Sequence, residues 1–169
     1  CGIGEDPVST PEPIPTAMPE IPAANALNTP LEKITGFTNF YEFSTDKFEP
    51  AKLAQGLQTS PWPIEISGLV GKKQTVDAAD LIKTYGGEER IYRMRCVEGW
   101  SMVIPWYGFP LQKLIADLDV KPEAKYVKFT TLYDPEQMPG QKSYYYFTWP
   151  YSEGLRLDEA QNNLTLLAW

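Results

Sequence analysis

Hydrophobic positions in this chain recur in short stretches, some at strand spacing and others at helix spacing. Ile64 and Ile66 alternate with other residues and are followed by glycines, which predicts a short strand. Asp77 is a suitable N-cap for the helical pattern that follows, and Gly86 begins the glycine pair that ends it. This part of the chain is therefore predicted to run from strand to helix.

The second half shows the same mixture of patterns. Pro110 precedes apolar residues at helical spacing, which predicts a helix packed against the core: Leu111, Leu114, Ile115 and Leu118. Residues 126–133 are predicted to form a strand, residues 155–162 a short helix and residues 164–169 a last strand. Short strands mixed with short helices predict an α+β fold.

A strand pattern also surrounds Cys96. From residue 91 onward, alternation places Met94 and Cys96 on one face and Arg93 and Arg95 on the other. Either arginine can stabilise a Cys96 thiolate only if the strand ends or bulges nearby, and Gly99 is the expected place for that break.

Cys96 is the only thiol in the body of the chain, because the other cysteine is Cys1. It is interpreted either as an inert buried residue or as a thiolate used for attack or metal ligation. Glu98 is a candidate proton donor or an ordinary surface carboxylate. Trp100, Trp106 and Tyr107 are candidates for a hydrophobic mouth, with core packing as the alternative for at least two of them.

Composition excludes several classes of function. The 169 residues carry a formal net charge of −7 and no basic tract, so we expect no nucleic-acid partner. The chain contains no histidine, which removes Ser-His-Asp and Cys-His catalysis and the common histidine-based zinc and iron sites. No apolar run approaches the ~20 residues that span a bilayer.

Residues 1–30 differ from the rest of the chain. They contain seven of the sixteen prolines and four acidic residues, with no lysine or arginine. Proline removes amide donors and the segment lacks apolar periodicity, so we expect a disordered tether. Cys1 is either the lipid-bearing first residue of a mature bacterial lipoprotein or the point where a fragment begins.

Four motifs together carry a family resemblance: NFYEF at residues 39–43, RMRCVEGW at 93–100, PEQMPGQ at 135–141 and EGLRLDEA at 153–160. In unbroken order over residues 31–167, the chain resembles the catalytic subunits of bacterial periplasmic protein-methionine-sulfoxide reductases. Those subunits belong to the sulfite oxidase family of molybdenum enzymes. The resemblance implies an α+β domain over residues 31–169, built around Mo-molybdopterin.

The resemblance also implies roles for individual residues. Cys96 matches the thiolate that ligates molybdenum and is therefore the expected catalytic residue, consistent with the preference of soft sulfur ligands for such metals. Positions that contact the pterin cofactor in the family match five residues here: Thr38, Asn39, Tyr41, Glu42 and Thr131. The family often has asparagine where this chain has Thr38, so a contact there is expected through the hydroxyl or the backbone.

The function implied by the resemblance is the reduction of protein-bound methionine sulfoxide in the periplasm, which repairs oxidised proteins. Electrons would come from a haem-containing membrane subunit that draws on quinol. Family members continue past the last predicted strand with further cofactor contacts, so we expect this chain to be a fragment that is inactive alone. The alternatives are the same cofactor acting on sulfite or a small S- or N-oxide, and a cofactor-free binding domain.

Overall fold

The computed structural model describes residues 28–169. Cys1 and most of the predicted tether, up to residue 27, lie outside the described residues. The described part begins in contact with a strand, since the Thr29 amide donates to the Val103 carbonyl at 3.0 Å. The Val103 amide donates in return to the Thr29 hydroxyl at 2.9 Å.

Short helices and strands alternate along the described residues, and the predicted α+β fold is confirmed. The helices are α1 Leu31–Gly36, α2 Pro50–Leu53, α3 Ala78–Tyr85, α4 Leu111–Asp117, α5 Gly140–Ser143 and α6 Leu157–Ala160, with a 3₁₀ turn at Ala54–Gly56. The strands are β1 Pro63–Ile66, β2 Gln74–Asp77, β3 Glu88–Arg95, β4 Ser101–Pro110, β5 Tyr126–Thr130, β6 Ser152–Arg156 and β7 Leu166–Ala168.

The described strands form three small antiparallel sheets: β1-β2, β3-β4-β7 and β5-β6. The longest pairing is the hairpin of β3 and β4, whose register runs from Glu88 opposite Gly108 to Arg95 opposite Ser101. Its inward face is formed by half-buried Met94 and buried Met102 and Ile104. The hairpin is therefore a two-faced ribbon whose closed end carries Cys96.

Local capping determines where α3 begins and ends. The Asp77 carboxylate accepts a hydrogen bond from the Ala79 amide at 2.8 Å, and Gly86 ends the helix with φ at 66°. Both features agree with the prediction, because an acidic N-cap satisfies a free amide and glycine tolerates positive φ.

The main apolar cluster lies between α4, α6 and the β5-β6 sheet. Leu111, Ile115 and Ala160 are buried there, and further side chains pack around them: Leu114, Val120, Val127, Leu155 and Leu157. This arrangement confirms that the helical stripe after Pro110 is core. It also anchors β5, after which the chain continues to Thr131.

Three predicted boundaries were wrong, and one of them is the last strand, which spans Leu166–Ala168 and not residues 164–169. The strand predicted for residues 126–133 ends at Thr130. The helix predicted for residues 155–162 is a strand up to Arg156 and a helix only over α6, because Leu155 pairs with Val127 across the sheet. The Glu159 carboxylate accepts from the Arg156 amide at 2.9 Å and so marks the change from strand to helix.

No helix among residues 28–169 has the length and apolar character needed to cross a membrane.

Candidate cofactor site

Cys96 occupies the first position of the loop that closes the β3-β4 hairpin. Its amide donates to the Trp100 carbonyl at 2.8 Å, and the Gly99 amide donates to the Cys96 carbonyl at 3.0 Å. Gly99 has φ at 88°, which is a left-handed conformation that glycine adopts without strain. This is a tight turn followed by a glycine bulge, so the strand ends where the sequence predicted.

The Cys96 sulfur receives two N–H groups. The Asn39 side-chain amide lies 3.2 Å from Sγ, and the Glu98 backbone amide lies 3.4 Å from it. Arg93 and Arg95 are exposed on the opposite face of β3, as the alternation predicted. The groups that contact the Cys96 sulfur are therefore amides and not the guanidinium groups of Arg93 or Arg95.

The segment that carries Asn39 is held in place by backbone contacts. The Thr38 amide donates to the Lys47 carbonyl at 2.9 Å and closes residues 38–47 into a loop. The Glu42 carbonyl accepts from the Gly140 amide at 2.8 Å, and Phe43 is 2% exposed. The loop is thus bonded at its own base and to the first residue of α5.

Within this loop, a second group of side chains reaches the Cys96 hairpin. The Lys47 ammonium lies 2.5 Å from one Glu98 carboxylate oxygen and donates to the Tyr41 hydroxyl at 2.7 Å. The Tyr41 hydroxyl donates to the other Glu98 oxygen. Lys47 also lies over the Tyr41 ring, 4.5 Å from its centroid. The three side chains form a closed triangle beside Cys96.

Electrostatics fix the protonation states in this triangle. The hydrogen bond from Lys47, followed by that from Tyr41, holds the pKa of the Glu98 carboxyl below its usual range. The hydrogen bond to Glu98 raises the pKa of the Tyr41 phenol, against the opposing effect of Lys47. Burial acts to lower the pKa of the Lys47 ammonium, but its bonds to Glu98 and Tyr41 outweigh burial and raise it. At neutral pH the triangle contains an ammonium, a neutral phenol and a carboxylate.

Comparison with known protein families decides what kind of site this is. Residues 51–169, more than two thirds of the chain, match the model of the oxidoreductase molybdopterin-binding domain. The chain belongs to this family. Membership in this sulfite oxidase family makes the protein an oxidoreductase domain that uses Mo-molybdopterin, as the sequence resemblance implied.

The predicted site residues of this molybdopterin-binding domain divide at the start of the match. Cys96, Glu98 and Thr131 lie within residues 51–169, whereas residues 38–47 precede them. The structure nevertheless brings Asn39 to Cys96 and Tyr41 to Glu98, across 57 positions of sequence in each case. The loop before the matched range is therefore part of the same site.

The residues around Cys96 are compatible with a bound molybdopterin. Within residues 28–169, the Asn39 side-chain oxygen and the Trp100 indole nitrogen are both buried without a hydrogen-bond partner. They leave one acceptor and one donor without a partner in the two loops that meet at Cys96, and a bound group could satisfy them. No cluster of three or more His, Cys, Asp or Glu side chains that would hold a metal ion occurs in this part of the chain.

Two predicted cofactor contacts, Thr131 and Glu42, make no hydrogen bond to the Cys96 sulfur. Thr131 is exposed just beyond β5, and its amide donates to the Tyr151 carbonyl at 2.9 Å. Glu42 is 6% exposed and is connected through its backbone to Gly140. The described structure therefore brings Asn39, and through Glu98 also Tyr41, to Cys96, but gives Thr131 and Glu42 other partners.

A row of aromatic rings runs from Tyr41, in the triangle with Glu98, to Tyr151, which is bonded to Thr131. Tyr41 stacks on Phe147 at 5.4 Å between centroids, Phe147 contacts Trp149 at 5.5 Å, and Trp149 contacts Tyr151 at 6.3 Å. Thr131 is bonded to the last of these residues. The row is continuous from the Tyr41–Lys47–Glu98 triangle to the end of β5.

The three aromatic residues predicted as a possible hydrophobic mouth, Trp100, Trp106 and Tyr107, do not all lie near Cys96. Trp100 lies at the Cys96 loop and packs edge-on against Phe37 at 5.5 Å. Trp106 is six positions along β4, or about 20 Å at the rise of an extended strand. Tyr107 packs against Trp169 at 5.2 Å. The separation follows from the strand β4, which the sequence analysis did not predict.

Lys47 was missed by the sequence analysis. It follows Thr45 and Asp46 in a polar stretch with no spacing that marks a site. Its contacts arise only when residues 38–47 fold against the hairpin loop. A basic residue close to a cofactor motif was the sole available signal, and that signal is common on protein surfaces.

Proposed function

We propose that this molybdenum-dependent oxidoreductase reduces protein-bound methionine sulfoxide to methionine, with Cys96 as the protein ligand to the metal. The observation that carries the proposal is the 3.2 Å contact between the Asn39 amide and Cys96 Sγ. It joins two separate motifs of the family resemblance at one sulfur, between residues 57 positions apart. This convergence of two motifs on the half-buried Cys96 supports a role for its sulfur in the cofactor site.

The proposed reaction converts a sulfoxide, two electrons and two protons into a thioether and water. When bound, the molybdenum cofactor supplies the two-electron redox chemistry. The chain contributes Cys96 as a soft anionic ligand, and Asn39 and the Glu98 amide orient its sulfur. Thr38, Tyr41, Glu42 and Thr131 are proposed cofactor contacts on the basis of the resemblance.

The proposed setting is the bacterial periplasm, where thiol and methionine oxidation is frequent and repair of methionine is useful. A haem-containing membrane subunit would deliver electrons from quinol, and oxidised proteins would be the substrates. If Cys1 carries lipid, residues 2–30 would connect this domain to the membrane surface.

The first experiment measures molybdenum and pterin in the complete protein, produced in a host able to make the cofactor. Cys96→Ala is expected to lose the metal, whereas Cys1→Ala, which removes the other cysteine of this chain, is expected to keep it. Retention of stoichiometric molybdenum by Cys96→Ala would overturn the assignment of the ligand. A complete wild-type protein free of metal would favour a binding domain.

The substrate is tested with the same loaded protein. Oxidised protein containing methionine sulfoxide is expected to be reduced in the presence of an artificial electron donor, and sulfite is not expected to be oxidised at a comparable rate. The opposite preference would assign the cofactor to sulfite, and turnover of small S- or N-oxides alone would remove the repair function.

A further inference from the structure

We propose that Lys47 is the positioning residue of this site, holding the Cys96 hairpin loop against the loop of residues 38–47. The proposal rests on the proposed function only in taking Cys96 as the metal ligand. Lys47 bonds in three directions: its carbonyl accepts from the Thr38 amide at 2.9 Å, and its ammonium contacts Tyr41 at 2.7 Å and Glu98 at 2.5 Å. The main chain of Lys47 thus closes the loop of residues 38–47, and its side chain binds the loop of residues 96–100.

Few polar contacts join the two loops, and Lys47 is connected to two of the three, one directly and one through Tyr41. In the described part of the chain, the polar contacts between residues 38–47 and 96–100 are Asn39 to Cys96, Tyr41 to Glu98 and Lys47 to Glu98. Lys47 makes the last contact and also bonds to the tyrosine of the second. Removing its ammonium therefore removes one of the three contacts and leaves the Tyr41–Glu98 bond without its second partner.

The charges in the hairpin loop explain why a cation is needed there. The loop holds the Glu98 carboxylate and, when it ligates metal, the Cys96 thiolate, only two residues apart. Arg93 and Arg95 point to the other face of β3 and are exposed. Lys47 is the cation that bonds to this loop within residues 28–169. Its side chain is 22% exposed, so the contact is shielded in part from solvent.

Lys47 thereby determines where the Cys96 sulfur is held. The Glu98 amide lies 3.4 Å from Sγ, and the Glu98 side chain is fixed by Lys47 and Tyr41. A displacement of Glu98 moves the amide that faces the sulfur and the turn that carries it. Lys47 acts on the sulfur through Glu98 and needs no direct contact with it.

The test uses the complete protein with its cofactor and compares Lys47→Met with Lys47→Arg. The matched control is Lys142→Met. Lys142 lies in α5 and makes a 2.6 Å contact with Glu136, in the turn that precedes this helix. The readouts are the electron paramagnetic resonance signal of the reduced molybdenum, molybdenum retained after dialysis, and hydrogen exchange of residues 96–100 in the cofactor-free protein.

Lys47→Met is expected to shift or broaden the resonance signal and to speed exchange of residues 96–100 by about three- to fivefold, as for loss of a partly exposed ion pair. Lys47→Arg is expected to restore the wild-type signal because it keeps the charge, and Lys142→Met to leave it unchanged. A Lys47→Met signal and exchange rate equal to those of the wild type would overturn the proposal.

Two further measurements keep the outcomes distinct. If Lys47→Met does not fold, the proposal is decided on Glu98→Gln, which weakens the same contact while keeping the lysine; an altered signal supports it and an unaltered signal overturns it. Cys96→Ala is measured in parallel. If that variant keeps the metal, the assignment of Cys96 as the ligand fails. Faster hydrogen exchange of residues 96–100 in cofactor-free Lys47→Met would still show that Lys47 stabilises this loop.

Discussion

Replacing Gly140 with alanine tests whether the close approach of two distant segments is required for the site. Gly140 is buried, and its amide donates to the Glu42 carbonyl at 2.8 Å. A Cβ at this position would lie 2.7 Å from the Glu42 carbonyl oxygen and still closer to that of Tyr41. Both neighbours are backbone atoms, so neither can move aside as a flexible side chain would.

The expected loss of stability follows from two contributions. Forcing a methyl group into a packed site destabilises by about 1–3 kcal/mol. Weakening the hydrogen bond to Glu42 adds about 0.5–1.5 kcal/mol. A total near 3 kcal/mol corresponds to a fall in Tm of about 6–12 °C for a domain of this size. Because the displaced carbonyls belong to Tyr41 and Glu42, molybdenum content should fall as well.

The assay is thermal melting followed by circular dichroism, with molybdenum measured on the same preparations. Gly56→Ala is the matched control, since a Cβ there meets nothing within 4 Å. Its Tm is expected to be unchanged or slightly raised, because alanine reduces the freedom of the unfolded chain. If Gly140→Ala melts within about 2 °C of the wild type and keeps its metal, the reasoning about backbone crowding is refuted.

Three further predictions concern stability. Burial, followed by the hydrogen bond to Asp117, raises the pKa of Tyr85 to about 12, so stability present below pH 10 should decline as pH rises toward 12. Tyr85→Phe should lack that alkaline decline in urea titrations, and an identical decline would contradict it. Asp77→Ala should destabilise by about 1–2 kcal/mol by removing a helix cap and the acceptor for the Trp62 amide, whereas Asp77→Asn should lose less. Ile115→Ala should destabilise by about 2–5 kcal/mol in denaturant unfolding, and a loss below 1 kcal/mol would show that the cluster collapses around it.

The elements predicted correctly from the sequence are those whose causes are local. Asp77 and Gly86 delimit α3 through their own side-chain and backbone properties, and the stripe after Pro110 needs only helical spacing. The end of β3 near Cys96 was predictable for the same reason, because Gly99 supplies the positive φ of the turn. Each of these predictions uses residues close together in the chain.

What could not be predicted depends on contacts between distant segments. Leu155 is read as helical from its neighbours, but pairing with Val127 makes it part of a strand. Lys47 becomes part of the site only through Glu98, which is far from it in sequence. The family resemblance was enough to select Cys96 as a candidate site residue. Its hydrogen-bond partners could be identified only from the folded arrangement of the two loops.

The two halves of the site differ in how far the chain must travel to form them. The turn around Cys96 closes over a few residues of one hairpin, whereas Asn39 reaches the same sulfur across 57 positions. Closure entropy grows by about 0.6 kcal/mol per doubling of loop length, so the second contact costs about 2 kcal/mol more. Hairpins also form within microseconds. We therefore expect the turn around Cys96 to form early in folding and the contacts from residues 38–47 to be added afterwards.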